Sequence, residues 1–229
     1  MKRITLPALS LFFLVICNSC ITTEAPPSDF GFDYQPLEVG LFWEYAVEEI
    51  EVFGERDEEE RNYFLRDEVD YFYLNAQNEQ VFVLKRSVSD DKLNWTQVGN
   101  YALQIKNNTL IRNFQNTQTV NLVFPPVKGV KWDGMVLNAK EADQFEIDFT
   151  GNITLGQQTF SRALRVLQEE DDDLITFRDN RYEVYAKGVG LIEQYYEVYT
   201  YCSRSDCLGK QLIDSGLFRH MTILGYGKK

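Results

Sequence analysis

The sequence has little histidine and little cysteine: one His, His220, and four Cys among 229 residues. Zinc centres built from Cys and His clusters are therefore disfavoured, and a Ser-His-Asp triad could use only His220. The G-x-S-x-G, H-E-x-x-H and G-x-x-x-x-G-K-[ST] patterns are all missing from the sequence. His220 falls in an alternating strand pattern with Phe218 and Leu224, which is typical of a packing or surface position. We therefore expect no enzyme activity, no cofactor and no catalytic residue.

Positive charge is also scarce. The chain has 23 Lys and Arg against 35 Asp and Glu, a formal charge of −12, and such a surface repels nucleic acid at long range. The densest acidic runs are Glu55–Glu60 and Glu169–Asp173. Carboxylates of this kind could hold calcium, but neither run has the D-x-[DN]-x-[DN]-G loop. We predict solvated loops or hairpin tips there, no metal site and no nucleic-acid partner.

Long hydrophobic runs are absent except for one, Ile4–Ile16, which follows Lys2 and Arg3. A bilayer-spanning helix needs about 20 apolar residues, so this shorter run suits the core of a signal peptide. We predict a signal peptide over residues 1–19. An ordinary signal that is cleaved elsewhere, or not cleaved, is the alternative.

The residues that follow, Cys17-Asn18-Ser19-Cys20, resemble the lipobox of bacterial lipoproteins. Ser19 fits the small residue before the modified cysteine, and Cys17 stands where that family usually has Leu. Cleavage before Cys17 would instead place Ile16 beside the cut. The resemblance implies lipidation of Cys20, with Cys17 as the alternative. Two or three acyl chains would anchor the protein firmly, because each buried CH₂ contributes about 0.8 kcal/mol.

The predicted domain organisation continues with the lipidated Cys and a flexible tether at residues 20–33, and a single β-rich domain at residues 34–229. Pro26, Pro27 and Gly31 discourage regular structure in the tether. No dense acidic cluster of the kind linked to surface export follows Cys20. We therefore expect a lipid-anchored protein of the outer membrane that faces the periplasm.

Two cysteines remain, Cys202 and Cys207, in Y-C-S-R-S-D-C. In an oxidising compartment, two leftover thiols this close together favour a disulfide. A metal pair or a redox pair is less favoured, because no second Cys pair accompanies them and the spacing is not C-x-x-C. The loop is short, so the bond would clamp a turn and contribute only about 2 kcal/mol.

Period-2 alternation runs through the rest of the chain, for example over Phe145–Phe149. Hairpin connections are predicted at Asn75–Gln80 and at Asn107-Asn108, since Asn tolerates positive φ angles. Further turns are predicted at Thr150–Asn152 and at Gly156. The fold class is all-β: an antiparallel, strongly curved sheet or open barrel of one domain with about thirteen strands.

The pattern P-x-x-x-G-x-x-W occurs twice, at Pro36–Trp43 and Pro125–Trp132. It indicates a turn followed by a strand whose Trp enters the core. The alternative is that the two tryptophans bind a ligand. The segments around this pattern, Tyr34–Tyr45 and Phe124–Trp132, together with Tyr185–Ile192, resemble a family of uncharacterised Bacteroidota lipoproteins, which look similar in fold to periplasmic lipoprotein carriers. Gly188 and Gly190 in that last segment suit a bulge or a close backbone approach, because the third glycine of a dinucleotide-binding loop is missing.

From these observations we expect a membrane-anchored lipoprotein of the cell envelope that acts as a non-catalytic interaction or accessory module. The alternative is a protein that binds a lipid or another apolar ligand in the concave face of its sheet. The expected partners are the membrane, through the lipid anchor, and an envelope protein or an apolar ligand. A glycan-cleaving enzyme with paired carboxylates is a third hypothesis, for which the sequence selects no pair.

Overall fold

The computed structural model describes residues 29–54 and 57–229. The predicted signal peptide, Cys20 and most of the predicted tether lie outside the described residues. Within them, the chain forms one 3₁₀ helix, Phe32–Tyr34, and twelve strands. The strands are β1 (Leu41–Gly54), β2 (Asp57–Leu74), β3 (Gln80–Ser89), β4 (Thr96–Lys106), β5 (Thr109–Phe114), β6 (Thr117–Val123), β7 (Lys131–Asp133), β8 (Gln144–Leu155), β9 (Gln158–Asp172), β10 (Phe177–Ala186), β11 (Gly190–Tyr201) and β12 (Ile213–Lys228).

All strands belong to one antiparallel sheet in the order β6-β5-β4-β3-β2-β1-β12-β11-β10-β9-β8-β7. The first and last strands of the chain therefore pair in the middle of the sheet, and β6 and β7 are left at its ends. These ends meet, because Val120 N–H donates to Gly134 O over 2.8 Å and the Trp132 indole donates to Val120 O over 2.7 Å. The sheet is a nearly closed barrel, which confirms the predicted all-β antiparallel class.

Several local predictions are confirmed in detail. Asn107 and Asn108 have φ angles of 48° and 60° in the two-residue connection between β4 and β5. Asn75 begins the connection between β2 and β3, where its side-chain oxygen accepts from Gln77 N–H and Glu79 N–H. Side-chain bonds of this kind replace missing backbone partners in a turn.

Two local predictions are wrong, and the first of them helps to explain why the described residues form twelve strands rather than about thirteen. Thr150–Asn152 is not a turn: β8 runs through it with a register shift between Gly151 and Ile153, so this glycine marks a bulge. The turn at Gly156 is present, with φ at 58°. The acidic segment Asp57–Glu60 is not a loop either, because it pairs with β1 as the exposed start of β2. Backbone pairing holds it extended while its carboxylates stay in water.

The barrel has two ends because successive strands alternate in direction. The end that contains Asp29 and the β2–β3, β4–β5, β6–β7, β8–β9 and β10–β11 connections is called the near end below. The end that contains the other six connections is called the far end. Asp29 belongs to the near end because it pairs with Lys187, which lies between β10 and β11.

The near end is filled with packed apolar side chains. Trp43 donates its indole N–H to Val189 O over 2.6 Å, and Tyr45 donates to Leu191 O over 3.0 Å. A Cβ on Gly190 would lie 3.0 Å from the Trp43 indole nitrogen, and φ there is 112°. This is the close backbone approach that the sequence predicted.

Two of the segments that resemble the lipoprotein family meet here, since Trp43 bonds to Val189 O. The residues just before the first segment contact the other two: the ring of Phe32 lies 5.0 Å from that of Phe124, and Gly188 N–H donates to Asp33 O over 2.7 Å. Gly40 and Gly129, the glycines of the repeated pattern, have nearly equal φ angles of 89° and 88°. The repeat therefore encodes two similar strand entries that help to close the near end.

At the far end, the connection between β11 and β12 contains the disulfide Cys202–Cys207. Both cysteines are buried, and the bond clamps this turn. Among residues 29–54 and 57–229, no helix has the length and apolar character needed to cross a membrane.

Candidate functional site: an arginine-lined cavity

The barrel is not filled along its whole length. A cavity of about 730 Å³ lies inside it, toward the far end. Gln115 of the β5–β6 connection and Met135 and Asp143 of the β7–β8 connection line this cavity, which places its mouth at the far end. Four arginines from four strands line it: Arg86 of β3, Arg112 of β5, Arg181 of β10 and Arg219 of β12. It is called the arginine cavity below.

Strand alternation explains how these arginines come to face inward. On β12, Leu217, Arg219 and Met221 all line the cavity, and each is two residues from the next. Side chains two residues apart point to the same face of a strand. Arg112 and Arg219 therefore interrupt inward apolar stripes, beside Leu110 and between Leu217 and Met221, whereas Arg181 lies between two inward acids, Asp179 and Glu183.

The deepest of these arginines is held by a fully buried carboxylate. Arg112 donates from Nη1 to Glu183 Oε1 over 2.7 Å, and Glu183 is 1% exposed. The Glu183 carboxylate also accepts from Asn121 Nδ2 at 2.9 Å, Tyr185 OH at 2.5 Å and Gln194 Nε2 at 2.8 Å. Burial raises the pKa of Glu183, but the Arg112 charge and these donors outweigh it and leave the pKa below the ordinary value.

A second buried pair joins β2 to β3. Arg86 donates from Nε and Nη2 to the two oxygens of Asp67, over 2.8 and 2.6 Å, and Tyr101 OH donates to the same carboxylate over 2.9 Å. The guanidinium also lies 5.0 Å from the Tyr101 ring centroid. Burial lowers the pKa of Arg86, but Asp67 outweighs it, so the net shift is upward and the arginine stays charged.

A third arginine lies nearer the mouth, between two carboxylates. Arg181 donates from Nε to Asp179 over 2.5 Å and from Nη1 to Asp143 over 3.0 Å. Asp143 also lines the cavity. The mouth is therefore not uniformly basic.

On β1, one carboxylate serves two arginines. Glu49 accepts from Arg219 Nε over 2.5 Å and pairs with Arg61, while Tyr63 OH donates to it over 3.2 Å. Burial raises the pKa of Glu49, and the two arginines outweigh burial, so its pKa is lowered.

These groups balance in charge, since five arginines (Arg61, Arg86, Arg112, Arg181, Arg219) meet five carboxylates (Glu49, Asp67, Asp143, Asp179, Glu183). Three of the carboxylates, Glu49, Asp67 and Glu183, are at most 2% exposed and so lie behind their arginines. A guanidinium has five N–H donors, and its carboxylate partner uses only part of them. The cavity therefore offers N–H donors, and beside them apolar surface from Phe114, Leu191 and Leu217. Such a wall suits a ligand with acceptor oxygens and an apolar part.

The residues that the sequence singled out lie elsewhere. His220 is on the outer face, where Nε2 lies 2.8 Å from Glu193 Oε1 and the ring lies 5.7 Å from that of Tyr195. Cys20 is outside the described residues. Within the described part of the chain, no group of three or more His, Cys, Asp or Glu side chains is arranged to hold a metal ion.

The cavity arginines were missed because they come from four separate strands and form no motif. A signal was present at two of them: a single charged residue within an inward apolar stripe, as in Leu217-x-Arg219-x-Met221-x-Ile223. Such a residue must find a partner, on a neighbouring strand as Arg219 finds Glu49 or across the barrel as Arg112 finds Glu183. Which partner it finds depends on strand order, and the sequence pattern does not give that.

The sequence matches no protein-family model and no curated protein. Two solved structures are similar. One, from Bacteroides fragilis, is described as an exported protein with a YmcC-like fold: 11% identity, TM-score 0.45, covering 85% of this chain and 98% of that one. The other, from Parabacteroides distasonis, is described as a lipoprotein: 13% identity, TM-score 0.41, with the same coverages. At these scores the likeness is distant, and no function follows from it.

Proposed function

We propose that this chain is a lipoprotein of the cell envelope, anchored through Cys20 and held at the outer membrane facing the periplasm. In this proposal it is a non-catalytic accessory module whose barrel binds an amphiphilic acid, a ligand with a carboxylate-like head and an apolar body. The observation that carries the ligand proposal is the arginine cavity, because four arginines and apolar side chains line one space.

The chemistry of the wall supports an acidic head. A carboxylate head can accept from guanidinium N–H groups that the buried acids leave over, and charge-assisted hydrogen bonds of this kind are the strong ones. The volume of about 730 Å³ falls within the usual range for small-molecule sites. A purely apolar ligand would bury these donors without partners, which costs free energy. Among the lipids and other apolar ligands expected as the alternative from the sequence, an acidic amphiphile is therefore favoured over a ligand without a polar head.

Calorimetric titration with dodecanoate and with dodecanol tests the head-group requirement, since the two share a chain and differ in charge. We expect dodecanoate to bind the full chain at least tenfold more tightly. Equal affinities, or binding of neither compound, would overturn the ligand proposal.

A matched pair of variants locates the site. Arg112→Met with Glu183→Leu removes the deepest arginine together with its acid, so no unpaired charge is left buried. Arg66→Met with Glu44→Leu removes an ion pair on the outer face of β2 and β1, whose arginine is as exposed as Arg112 (23% against 22%). Dodecanoate affinity should fall at least tenfold in the first variant and stay unchanged in the second. Equal effects would place the bound acid outside the arginine cavity.

The anchor has its own test. Cells fed a clickable fatty acid should label the wild-type chain, and the label should disappear with Cys20→Ala. Label that survives Cys20→Ala and disappears with Cys17→Ala would move the anchor to Cys17. An unlabelled wild-type chain in the aqueous fraction would contradict the proposed membrane anchor.

The accessory role rests on the expected absence of catalysis and on the outer surface that the barrel leaves free for partners. Cross-linking in intact cells, followed by mass spectrometry of the captured species, tests it. An envelope protein that is recovered with several cross-linkers supports the role. Recovery of the chain alone with every cross-linker contradicts it.

A further inference from the structure

The hairpin of β2 and β3 projects from the near end with its apolar side chains uncovered. Tyr71, Phe72, Tyr73 and Leu74 are 51%, 45%, 48% and 53% exposed. Successive residues of a strand point to opposite faces, so four exposed neighbours show that both faces of the tip meet solvent. None of these four residues lines the arginine cavity.

More exposed aromatic residues lie at the same end. Phe30 and Phe32 are 43% and 38% exposed, and their rings stack at 5.7 Å. A cleft of about 470 Å³ joins this segment to the hairpin, since Phe32 and Leu37 line it together with Glu79 and Gln80. Phe30, Phe32 and Tyr71–Leu74 are called the aromatic rim below. Aromatic residues of this kind favour the headgroup layer of a bilayer.

Apolar side chains are also exposed at the far end, for example Leu174 and Ile175, at 51% and 50%. Charge distinguishes the two ends. The far end has the acidic start of β2, Asp57–Glu60, and the acidic end of β9, Glu169–Asp172. Such runs repel anionic headgroups, so the far end suits water better than a membrane.

At the near end, carboxylates are paired with lysines. Lys187 pairs with Asp29 and Lys228 with Glu38. Lys106 Nζ lies 2.8 Å from Glu79 Oε2. The carboxylates beside the aromatic rim are thus largely neutralised, which removes the main electrostatic obstacle to a lipid surface.

The chain also enters the barrel at this end. Asp29 lies beside Lys187 at the near end, and eight residues, 21–28, stand between it and Cys20. The nine Cα-to-Cα steps from Cys20 to Asp29 span at most about 30 Å. Lipid on Cys20 would therefore hold the near end close to the bilayer.

We infer that the aromatic rim rests in the headgroup layer of a phospholipid bilayer, so that the arginine cavity opens away from the membrane. The inference rests on the proposed anchor at Cys20. The lipid chains supply the attachment, and the rim fixes the orientation, because its exposed Tyr and Phe side chains lie beside lysine-paired carboxylates, while the acidic runs of β2 and β9 lie at the far end.

Spin labels test this orientation in the lipidated full chain, bound to vesicles of phosphatidylethanolamine and phosphatidylglycerol. Tyr73→Cys places a label in the rim, and Ile175→Cys places a control label of matched exposure at the far end. Flotation of the vesicles reports the anchor, and power saturation with oxygen and a nickel chelate reports the depth of each label. We expect the oxygen-to-nickel accessibility ratio to rise several-fold at 73 and to stay water-like at 175.

The outcomes distinguish a failure of the proposed anchor from a failure of the proposed orientation. A chain that floats with water-like labels at both positions would overturn the orientation and leave the anchor intact. A chain that does not float would overturn the anchor, and the orientation with it. Hydrogen exchange on the wild-type chain gives a reading without substitutions: vesicles should slow exchange several-fold over residues 71–80 and leave residues 173–177 unchanged. Equal protection of both segments would contradict the inference.

Discussion

The two halves of the barrel interior differ in how they are built. The near half is a packed core in which Ile147, Leu164 and Ile192 are completely buried. The far half surrounds the arginine cavity, where Arg112 and Arg86 stand in front of buried acids. The near half includes the segments that carry the repeated sequence pattern, whereas the arginines of the far half are single residues from separate strands. The sequence motif therefore marks the packed core of this protein, and the candidate site has no motif.

The largest effect is expected at the near half. Trp43→Ala removes a buried indole and its bond to Val189 O, and truncations of this kind cost about 3–5 kcal/mol. Urea unfolding should show this loss. A change in the free energy of unfolding below 1 kcal/mol would mean that the near half does not hold the fold together. The two halves would then not differ as described.

At the far half we expect a loss of stability of comparable size, which a second substitution should largely restore. Arg112→Met alone leaves Glu183 as an unpaired buried charge, which costs about 3–5 kcal/mol. Adding Glu183→Leu should recover most of that loss, because no charge is then left unpaired. If urea unfolding gives the same stability for the single and the double variant, the pair does not behave as a buried ion pair.

A smaller effect is expected from the far-end clamp. Cys202→Ser with Cys207→Ser should cost about 2 kcal/mol, since a short loop restricts the unfolded chain only slightly. Wild-type protein under reducing conditions is the matched control and should unfold like the variant. Unchanged stability on reduction would show that the clamp does not contribute.

The smallest expected effect is a dependence of the free energy of unfolding on pH, which arises from the buried ion pairs. The pKa values of Glu49 and Glu183 are lowered from 4.5 by their arginines, so the folded state binds fewer protons than the unfolded state near this pH. The stability that these pairs contribute is complete above about pH 4.5 and is lost as pH falls through the folded pKa values, at most about 1.4 kcal/mol per pH unit for each carboxyl.

Urea unfolding between pH 3 and pH 7 measures this slope. The variant with Arg112→Met and Glu183→Leu should show a shallower fall in stability below pH 4.5, because one of the two carboxyls is gone. Identical slopes would mean that other carboxyls govern the acid response.

The strand pattern allowed the all-β class, the turn at Asn107-Asn108 and the close approach at Gly190 to be predicted, because each depends on local backbone chemistry. It failed at Thr150–Asn152, because a segment with a bulge at glycine has the same local composition as a turn. It also failed at Asp57–Glu60, where a long hairpin extends an acidic segment beyond the barrel. In both cases the deciding factor was pairing with a distant strand.

The sequence by itself determined the alternation of inward and outward side chains, the tight turns and the cysteine pair, because these depend on neighbours along the chain. Only the tertiary structure decided that β6 and β7 meet, that Arg112 of β5 finds Glu183 of β10, and that four arginines share one cavity. Barrel closure brings Arg112 and Glu183, which are 71 positions apart, into hydrogen-bonding contact, and no local pattern encodes which distant charge will face which.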